Sequence, residues 1–414
     1  MKKIKVLAIN WSIEEGSIAK LMQDIEAVNR EECEFYYCYQ VGVKEQGKKY
    51  RIAGWNITRL YYLLARITGI KYGGGSVPTF FMLLWLNKIR PDIVHIHCPN
   101  FYNLNLYMLF RYLKKKNYGV IITNHAEFFY TGNCPHAEDC RGYLSGCLKC
   151  EKVFDVKHPY IVNRTNTEWK RMRKAFENFD RLQMTAVSEW VKKRCQESPI
   201  TEKIPVRVIE NAVDGTIFHR KEVFWIKWKE EWRPDQKYIL NVTSGFSDNE
   251  KDLKGGIHLI QTARELPEYI FWVAGNKYVE HYENIPSNVK LLGNISDKSE
   301  LSDLYNCADL TVLTSKRETY GMACAESLAC GTPVVAFLAG GTESIALEEY
   351  TEFVEYGNVH MLKEAIYRWI GKKKDISFGL ADIAGERYAK ERMGKEYLQL
   401  YKEMIEAEDG RNNI

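Results

Sequence analysis

Residues 310–338 constrain the fold more than any other segment of this chain. Leu310, Val312 and Leu313 end an apolar strand, SKRETYG turns the chain, and MACAESLACG has helical spacing. Gly331 closes that helix, Pro333 follows it, and Pro333 to Leu338 reads as a second apolar strand. A strand, loop, helix and strand in that order is a parallel crossover, the building block of α/β sheets. Glu318 falls in the loop at the carboxyl end of the first strand, and Glu326 stands eight residues on, two turns into the helix. Were one helix to cover both acids, they would share a face. With the helix starting after the loop, the N–H groups from Tyr320 through Gly321 and Met322 to Ala323 face outward and make an anion site.

Similar units recur along the 414 residues. In the first half, strands are expected at Lys3–Asn10, Glu34–Tyr39, Asp92–His97, Val120–Asn124, Thr185–Ser188 and Val206–Ile209. Helices are expected at Ser17–Arg30 and Leu104–Lys115. The second half repeats the theme with strands at Tyr238–Thr243, Tyr269–Ala274, Val289–Leu292, Leu310–Leu313 and Val334–Phe337. A chain this long, with 45% hydrophobic residues, can bury two cores. The expected domains are 1–212 and 213–385, hinged near 212–220 before the Trp-rich stretch Lys221–Gln236, with an amphipathic helix over 386–405. Charge divides the same way: residues 1–212 carry 33 Lys and Arg against 21 Asp and Glu, and residues 213–414 carry 25 against 33. A basic and an acidic half attract each other, and the basic one also suits an anionic membrane or a phosphorylated acceptor.

The segment S-x-x-E-T-Y-G-x-x-x-x-E-x-L-A-x-G-T-P-V-V-A resembles the Glu-x7-Glu signature of retaining glycosyltransferases of family 4 (glycosyl transferases group 1). The resemblance covers nearly the whole chain and is sharpest between 238 and 345. It implies the GT-B architecture: two Rossmann-like, doubly wound α/β domains facing across a cleft, the last helix (386–414) returning to the N-terminal one. It further implies that Glu318 holds hydroxyls of a donor sugar, that Glu326 binds the ribose, and that a diphosphate rests near the helix start at Gly321. Lys254-Gly255, between an apolar strand and a helix, matches the family's phosphate-neutralising pair; a lysine there also gains from the helix dipole. An Arg usually follows the strand's glycine, but here Phe246 follows Gly245, and Lys251 and Arg317 are the candidates to replace it. The glycine loop Gly340–Ile345, with Gly341, allows close approach of backbone amides to sugar or phosphate.

In the first half, PDIVHIH resembles the family strand end and yields His95, read as structural, and His97, read as lining the acceptor side. Alternation puts both on one face of the strand. His125, directly after the strand IITN, aligns with the family histidine that contacts the donor sugar. Gly16-Ser17 stands where relatives carry a glycine-rich acceptor loop. VIENAVDGTIF matches the junction segment, with Asn211 and Asp214 as turn formers. The donor implied is a UDP- or GDP-linked sugar and the acceptor a glycan or lipid-linked saccharide of bacterial surface polysaccharide. No divalent metal is required for catalysis, as no Asp-x-Asp candidate appears. A sugar-nucleotide epimerase of the same architecture and a non-catalytic binding module are the competing readings.

Two features lie outside that core pattern. Cys134, Cys140, Cys147 and Cys150 fall at x5, x6 and x2 spacing, which suggests a structural zinc site with His136 as a substitute ligand, the alternatives being reduced thiols or a redox pair. A subset of bacterial polysaccharide glycosyltransferases resembles this insertion. The aromatic stretch Gly54–Gly75, carrying Arg59, Arg66 and Lys71, either covers the sheet or docks on a membrane. No signal peptide opens the chain and no apolar run is long enough to span a bilayer, so a cytoplasmic location is expected, with peripheral membrane contact. Dispersed basic residues give no support to nucleic-acid binding.

Overall fold

The computed structural model describes residues 2–42, 47–150, 160–223, 233 and 235–412. The chain divides into two compact units, Met1–Ile209 with Met393–Ile414, and Glu210–Arg392. The divisions fall three residues before the expected 212/213 and seven after the expected 385/386. Most of the Trp-rich stretch Lys221–Gln236 lies outside the described residues.

Among the described residues the first unit contains seven strands: β1 Ile4–Ile9, β2 Cys33–Tyr39, β3 Lys49–Arg51, β4 Ile93–Ile96, β5 Gly119–Asn124, β6 Leu182–Ala186 and β7 Val206–Val208. They form one sheet in the order β3-β2-β1-β4-β5-β6-β7, with every pairing parallel. Strands covered by helices on both faces must be apolar throughout rather than alternating, and Val6, Leu7, Ile9, Ile93, Val94 and Ile96 are fully buried.

The second unit contains β8 Tyr238–Phe246, β9 Ile270–Lys277, β10 Val289–Gly293, β11 Leu310–Leu313, β12 Val334–Phe337 and β13 Thr351–Val354. Their order is β10-β9-β8-β11-β12-β13, again all parallel. Its core gathers Ile239, Leu259, Phe271, Leu310, Val335 and Ile366 between sheet and helices. Both units are flanked by helices and are doubly wound α/β units. In each, the order reverses beside the first strand, between β1 and β4 and between β8 and β11. At such a switch point the neighbouring loops leave toward opposite faces of the sheet and open a crevice at the carboxyl ends of the strands.

The structure differs from the expectations at several points, among them β6, which runs Leu182–Ala186 instead of Thr185–Ser188. β3 and β13 are three and four residues long and carry too little pattern to be read from sequence. The segment 386–405 is not one helix: Lys373–Arg387 ends before Tyr388, and a new helix runs Lys390–Asn412. Tyr388 breaks the run because its own backbone and side chain are committed elsewhere, its carbonyl accepting from Val213 N (2.9 Å) and its hydroxyl donating to Ile345 O (2.7 Å). Glu326 is the fifth residue of the helix Met322–Ala329, one turn in rather than two, because Gly321 stands outside as the N-cap.

The last helix is held into the first unit through polar contacts. Asn29 Nδ2 donates to Gly394 O at 2.8 Å, and a Cβ at Gly394 would stand 2.6 Å from Val28 Cγ1, so glycine permits the approach. Farther along, Tyr401 Oη lies 2.8 Å from His95 Nδ1, and Tyr397 Oη 3.0 Å from Thr123 Oγ1.

Candidate functional site

In the Glu210–Arg392 unit, the loops after β8 and β11 are joined across the switch point. Lys316 N donates to Leu253 O (2.8 Å), and Thr314 Oγ1 donates to Lys254 O (2.9 Å). Lys254 Nζ then reaches Glu318 Oε1 at 2.7 Å, with both side chains a little over a quarter exposed. Gly255 is the N-cap of the helix Gly256–Glu265 with φ +65, and a Cβ there would stand 2.2 Å from Thr314 O. Only glycine tolerates both the left-handed backbone and that approach. The ammonium and carboxylate thus sit beside a helix N-terminus, where N–H groups lack intrahelical partners.

Glu318 is held by backbone as well. Its N–H donates to Ala339 O (3.0 Å), and its carbonyl accepts from Gly341 N (2.8 Å). Glu343, three residues beyond Gly340, accepts from Gly340 N at 2.7 and 2.9 Å and so fixes the start of the Gly341–Ile345 turn of helix. A Glu at the third helical position is one half of a capping box, and that spacing is readable in sequence. A Cβ at Gly341 would stand 2.1 Å from Thr319 O, and one at Gly321 (φ +90) 2.4 Å from Thr342 Oγ1. The glycines therefore bring the 318–321 and 339–342 loops into contact at the start of the Met322–Ala329 helix.

Glu326 is buried, and its Oε2 accepts from Tyr305 Oη at 3.2 Å. Desolvation raises its carboxyl above the usual range, opposed by the charge of Lys298 and the Tyr305 bond. A buried carboxylate with a fixed hydroxyl donor is suited to accept from ligand hydroxyls. Tyr305, five residues before the strand, carries no signal of this role in the sequence. Met322 is partly buried at the first position of its helix. The Tyr320 side chain is buried and engaged in the fold, its Oη donating to Asn211 O (2.7 Å), so only its backbone remains at the start of the helix. Asn211 takes that bond through its carbonyl, whereas Asp214 holds its own turn, its Oδ1 accepting from Thr216 N (3.1 Å).

Near the missing arginine, Phe246 is a core side chain whose ring atoms would stand 3.1 Å from a Cβ on Gly256. Gly245 lies under the ring of Tyr278, at 2.6 Å from the position of a Cβ. Arg317 Nη1 donates to Lys316 O (2.8 Å), and Lys251 N donates to Asn249 Oδ1 (2.9 Å).

In the other unit, a groove of about 470 Å³ opens at the β1–β4 switch point, lined by Asn10, Trp11, Ser12, Gly16, Ser17 and Asn100 among others. Cys98 N donates to Asn10 Oδ1 (3.2 Å), which ties the β4 loop to the β1 loop. His97 Nδ1 lies 3.2 Å from His125 Nε2, and the two rings stack with centroids 5.4 Å apart. His95 is buried behind them between Tyr401 and Thr123, with 2.8 Å to each hydroxyl. Burial pushes His95 and His125 down to about 3 and His97 well below its ordinary value, so all three rings are neutral at neutral pH.

The four loop cysteines occupy one irregular region. Cys134 Sγ contacts His136 O (3.0 Å), and Gly142 N donates to Cys140 Sγ (3.4 Å). Burial and the neighbouring Cys150, Cys140 and Cys134 push the Cys147 thiol up to about 12. Among the described residues no group of three or more His, Cys, Asp or Glu side chains is arranged to hold a metal ion. The thiols are neighbours without forming a ligand shell. Among the same residues no helix is long and apolar enough to cross a membrane.

Residues 225–377 match the family described as "Glycosyl transferases group 1", and residues 55–216 match "Glycosyltransferase Family 4". The chain is 31% identical over 130 residues to the alpha-galactosylglucosyldiacylglycerol synthase of Streptococcus pneumoniae, covering 26% of this chain and 34% of that protein. The first curated relatives it matches are covered over 13% to 60% of their own lengths. Among solved structures it resembles sucrose-phosphate synthase from Thermosynechococcus elongatus (TM-score 0.71, 17% identity, 98% and 100% of the two chains covered). It also resembles Anabaena Alr3699/HepE in complex with UDP and glucose (TM-score 0.66, 15% identity, 96% and 99% covered). At these identities the structural likeness concerns the fold.

Proposed function

The chain belongs to the group 1, family 4 glycosyltransferases of GT-B fold, and on that premise we propose that it moves a sugar from a nucleotide-diphosphate donor to an acceptor hydroxyl with retention of anomeric configuration. One observation carries this reading: Lys254 and Glu318 meet at 2.7 Å at the β8–β11 switch point, beside the helix N-cap Gly255. When the donor's glycosidic bond breaks, negative charge builds on the nucleoside diphosphate. A fixed ammonium and oriented N–H groups stabilise that charge most where it develops. Lys254 and the helix starts at Gly256 and Met322 supply them. Glu318, its backbone pinned to the 339–341 loop, orients sugar hydroxyls as a positioning acid, and Glu326 accepts from the ribose. Double-displacement chemistry of the glycosidase kind is not implied.

The acceptor side is read onto the first unit, through the Gly16–Ser17 groove and His97, and for His125 the family resemblance implies a sugar-contacting role. The UDP of the Anabaena relative and the glycolipid product named for the pneumococcal one make a UDP-sugar donor and a glycan or lipid-linked acceptor the favoured pair. Zinc on Cys134, Cys140, Cys147 and Cys150 is a separate proposal and requires the thiols to draw together. The experiment for the main reading is a thermal-shift screen against UDP- and GDP-sugars, followed by NMR of the anomeric proton in the product. Stabilisation by a nucleotide sugar and a product of retained configuration are expected. Conversion of the donor to its epimer without acceptor would replace transfer with epimerisation.

A further inference from the structure

Two helices of the first unit, Trp55–Thr68 and Ser76–Ile89, face outward with apolar side chains. In the 14 residues of Trp55–Thr68 only Ala65 is buried. Ile57, Leu60, Leu64 and Ile67 recur at helical spacing along one stripe and are 42–55% exposed. Ser76–Ile89 is apolar on two faces. Pro78, Met82, Leu83 and Leu86 pack inward, while Val77, Phe81 and Leu84 form an outer stripe 52–62% exposed. The stripes meet at a groove of about 650 Å³, lined by Ile57 of the first helix, Val77, Pro78 and Phe81 of the second, and Arg51 at the end of β3. Chains in water rarely leave an apolar surface of this extent uncovered, so it marks an interaction site.

Charge decides what covers it. From Gln46 to Pro91 there is no Asp or Glu, while eight Lys and Arg fall in the same stretch. Arg59, Lys88 and Arg90 are exposed. Lys71, expected with this basic set, is instead buried, its Nζ 4.9 Å from the Tyr72 ring. A second copy of this chain would bring the same acid-free basic face against it, and like charges oppose that pairing. Apolar stripes flanked by cations and free of carboxylates match the surface of a bilayer, where the side chains enter the acyl boundary and the cations meet anionic headgroups.

We propose that the outer face of Trp55–Thr68 and Ser76–Ile89 docks the protein on a membrane rich in anionic lipid. The proposal does not rest on the transfer chemistry, since it is read by binding alone. The test is co-sedimentation of the full chain with phosphatidylcholine vesicles with and without phosphatidylglycerol, at low and high salt. The wild type is expected to pellet with the anionic vesicles, less so at high salt. Arg59→Glu should weaken that binding about tenfold, reversing one charge near the surface, and Leu60→Glu with Phe81→Glu should abolish it. Unchanged circular dichroism and thermal unfolding show that the exposed substitutions leave the fold intact. Absence of pelleting, or undiminished pelleting of the double variant, overturns the proposal. So does a wild-type dimer by light scattering that the double variant abolishes while vesicles go unbound, because the face would then belong to a second copy.

Discussion

Lys254 Nζ lies 2.7 Å from Glu318 Oε1 across 64 residues of chain, because each sits in a loop at the carboxyl edge of one of two strands that are neighbours where the sheet order reverses. Strand order, rather than sequence distance, makes them partners.

Removing either member separates catalysis from stability. Lys254→Ala should lower kcat about 10²–10³-fold, the loss typical of a group that stabilises developing charge. The pair is partly exposed, so stability should change by only about 0–1 kcal/mol. Steady-state kinetics beside urea unfolding checks this, and Glu318→Ala should behave alike. Full activity in both would remove these residues from the site.

Burial of Glu326 fixes the sign of a pH effect. Its folded carboxyl is raised by desolvation, so its contribution favours folding below the unfolded value and is lost as pH rises through the folded one. Glu326→Gln should therefore gain stability over the wild type at neutral and alkaline pH, and lose that advantage in acid. The same variant should bind nucleotide about tenfold more weakly if its carboxylate holds the ribose, the loss expected of a charged hydrogen bond. Thermal unfolding at several pH values and calorimetry with nucleotide read the two effects.

The loop glycines are expected to be intolerant. Gly321→Ala adds a Cβ at φ +90 and 2.4 Å from Thr342 Oγ1. Backbone strain of this kind costs about 1–3 kcal/mol. Lower unfolding free energy together with weaker nucleotide-sugar binding is expected, because Gly321 joins the two loops that hold Glu318. Gly385→Ala, where nothing lies within 4 Å of the added carbon, is the control.

The histidines of the first unit predict acid sensitivity. His95 and His125 are held near 3, and an unfolded imidazole titrates near 6.5. The unfolded chain binds the extra protons between those values, so stability is present above about 6.5 and falls as pH drops toward 3. His95→Gln, which keeps polar atoms between Tyr401 and Thr123, should flatten the decline. Calorimetric scans from neutral pH to pH 4 test it; an unchanged slope would falsify the assignment.

Metal content decides the cysteine loop. About one equivalent of zinc in purified protein, lost with Cys147→Ser and Cys150→Ser, is expected of a tetrathiolate site. Under a tenth of an equivalent leaves the thiols as neighbours only.

The sequence by itself determined the α/β class, the presence of eleven of the thirteen strands among the described residues and the local unit from Leu310 to Phe337, because apolar runs, glycine stops and a helix start are properties of adjacent residues. It also pointed to Lys254 and Glu318 as charged residues in loops at the ends of strands. Only the tertiary structure decided that β8 lies beside β11, that Tyr305 serves Glu326, and that Thr314 and Thr342 pack against Gly255 and Gly321. It likewise turned Lys71 inward and left the stripes of Trp55–Thr68 and Ser76–Ile89 uncovered. Helical spacing reports that a stripe exists but not what lies against it. That depends on contacts between residues far apart in the chain, which only the packed fold supplies.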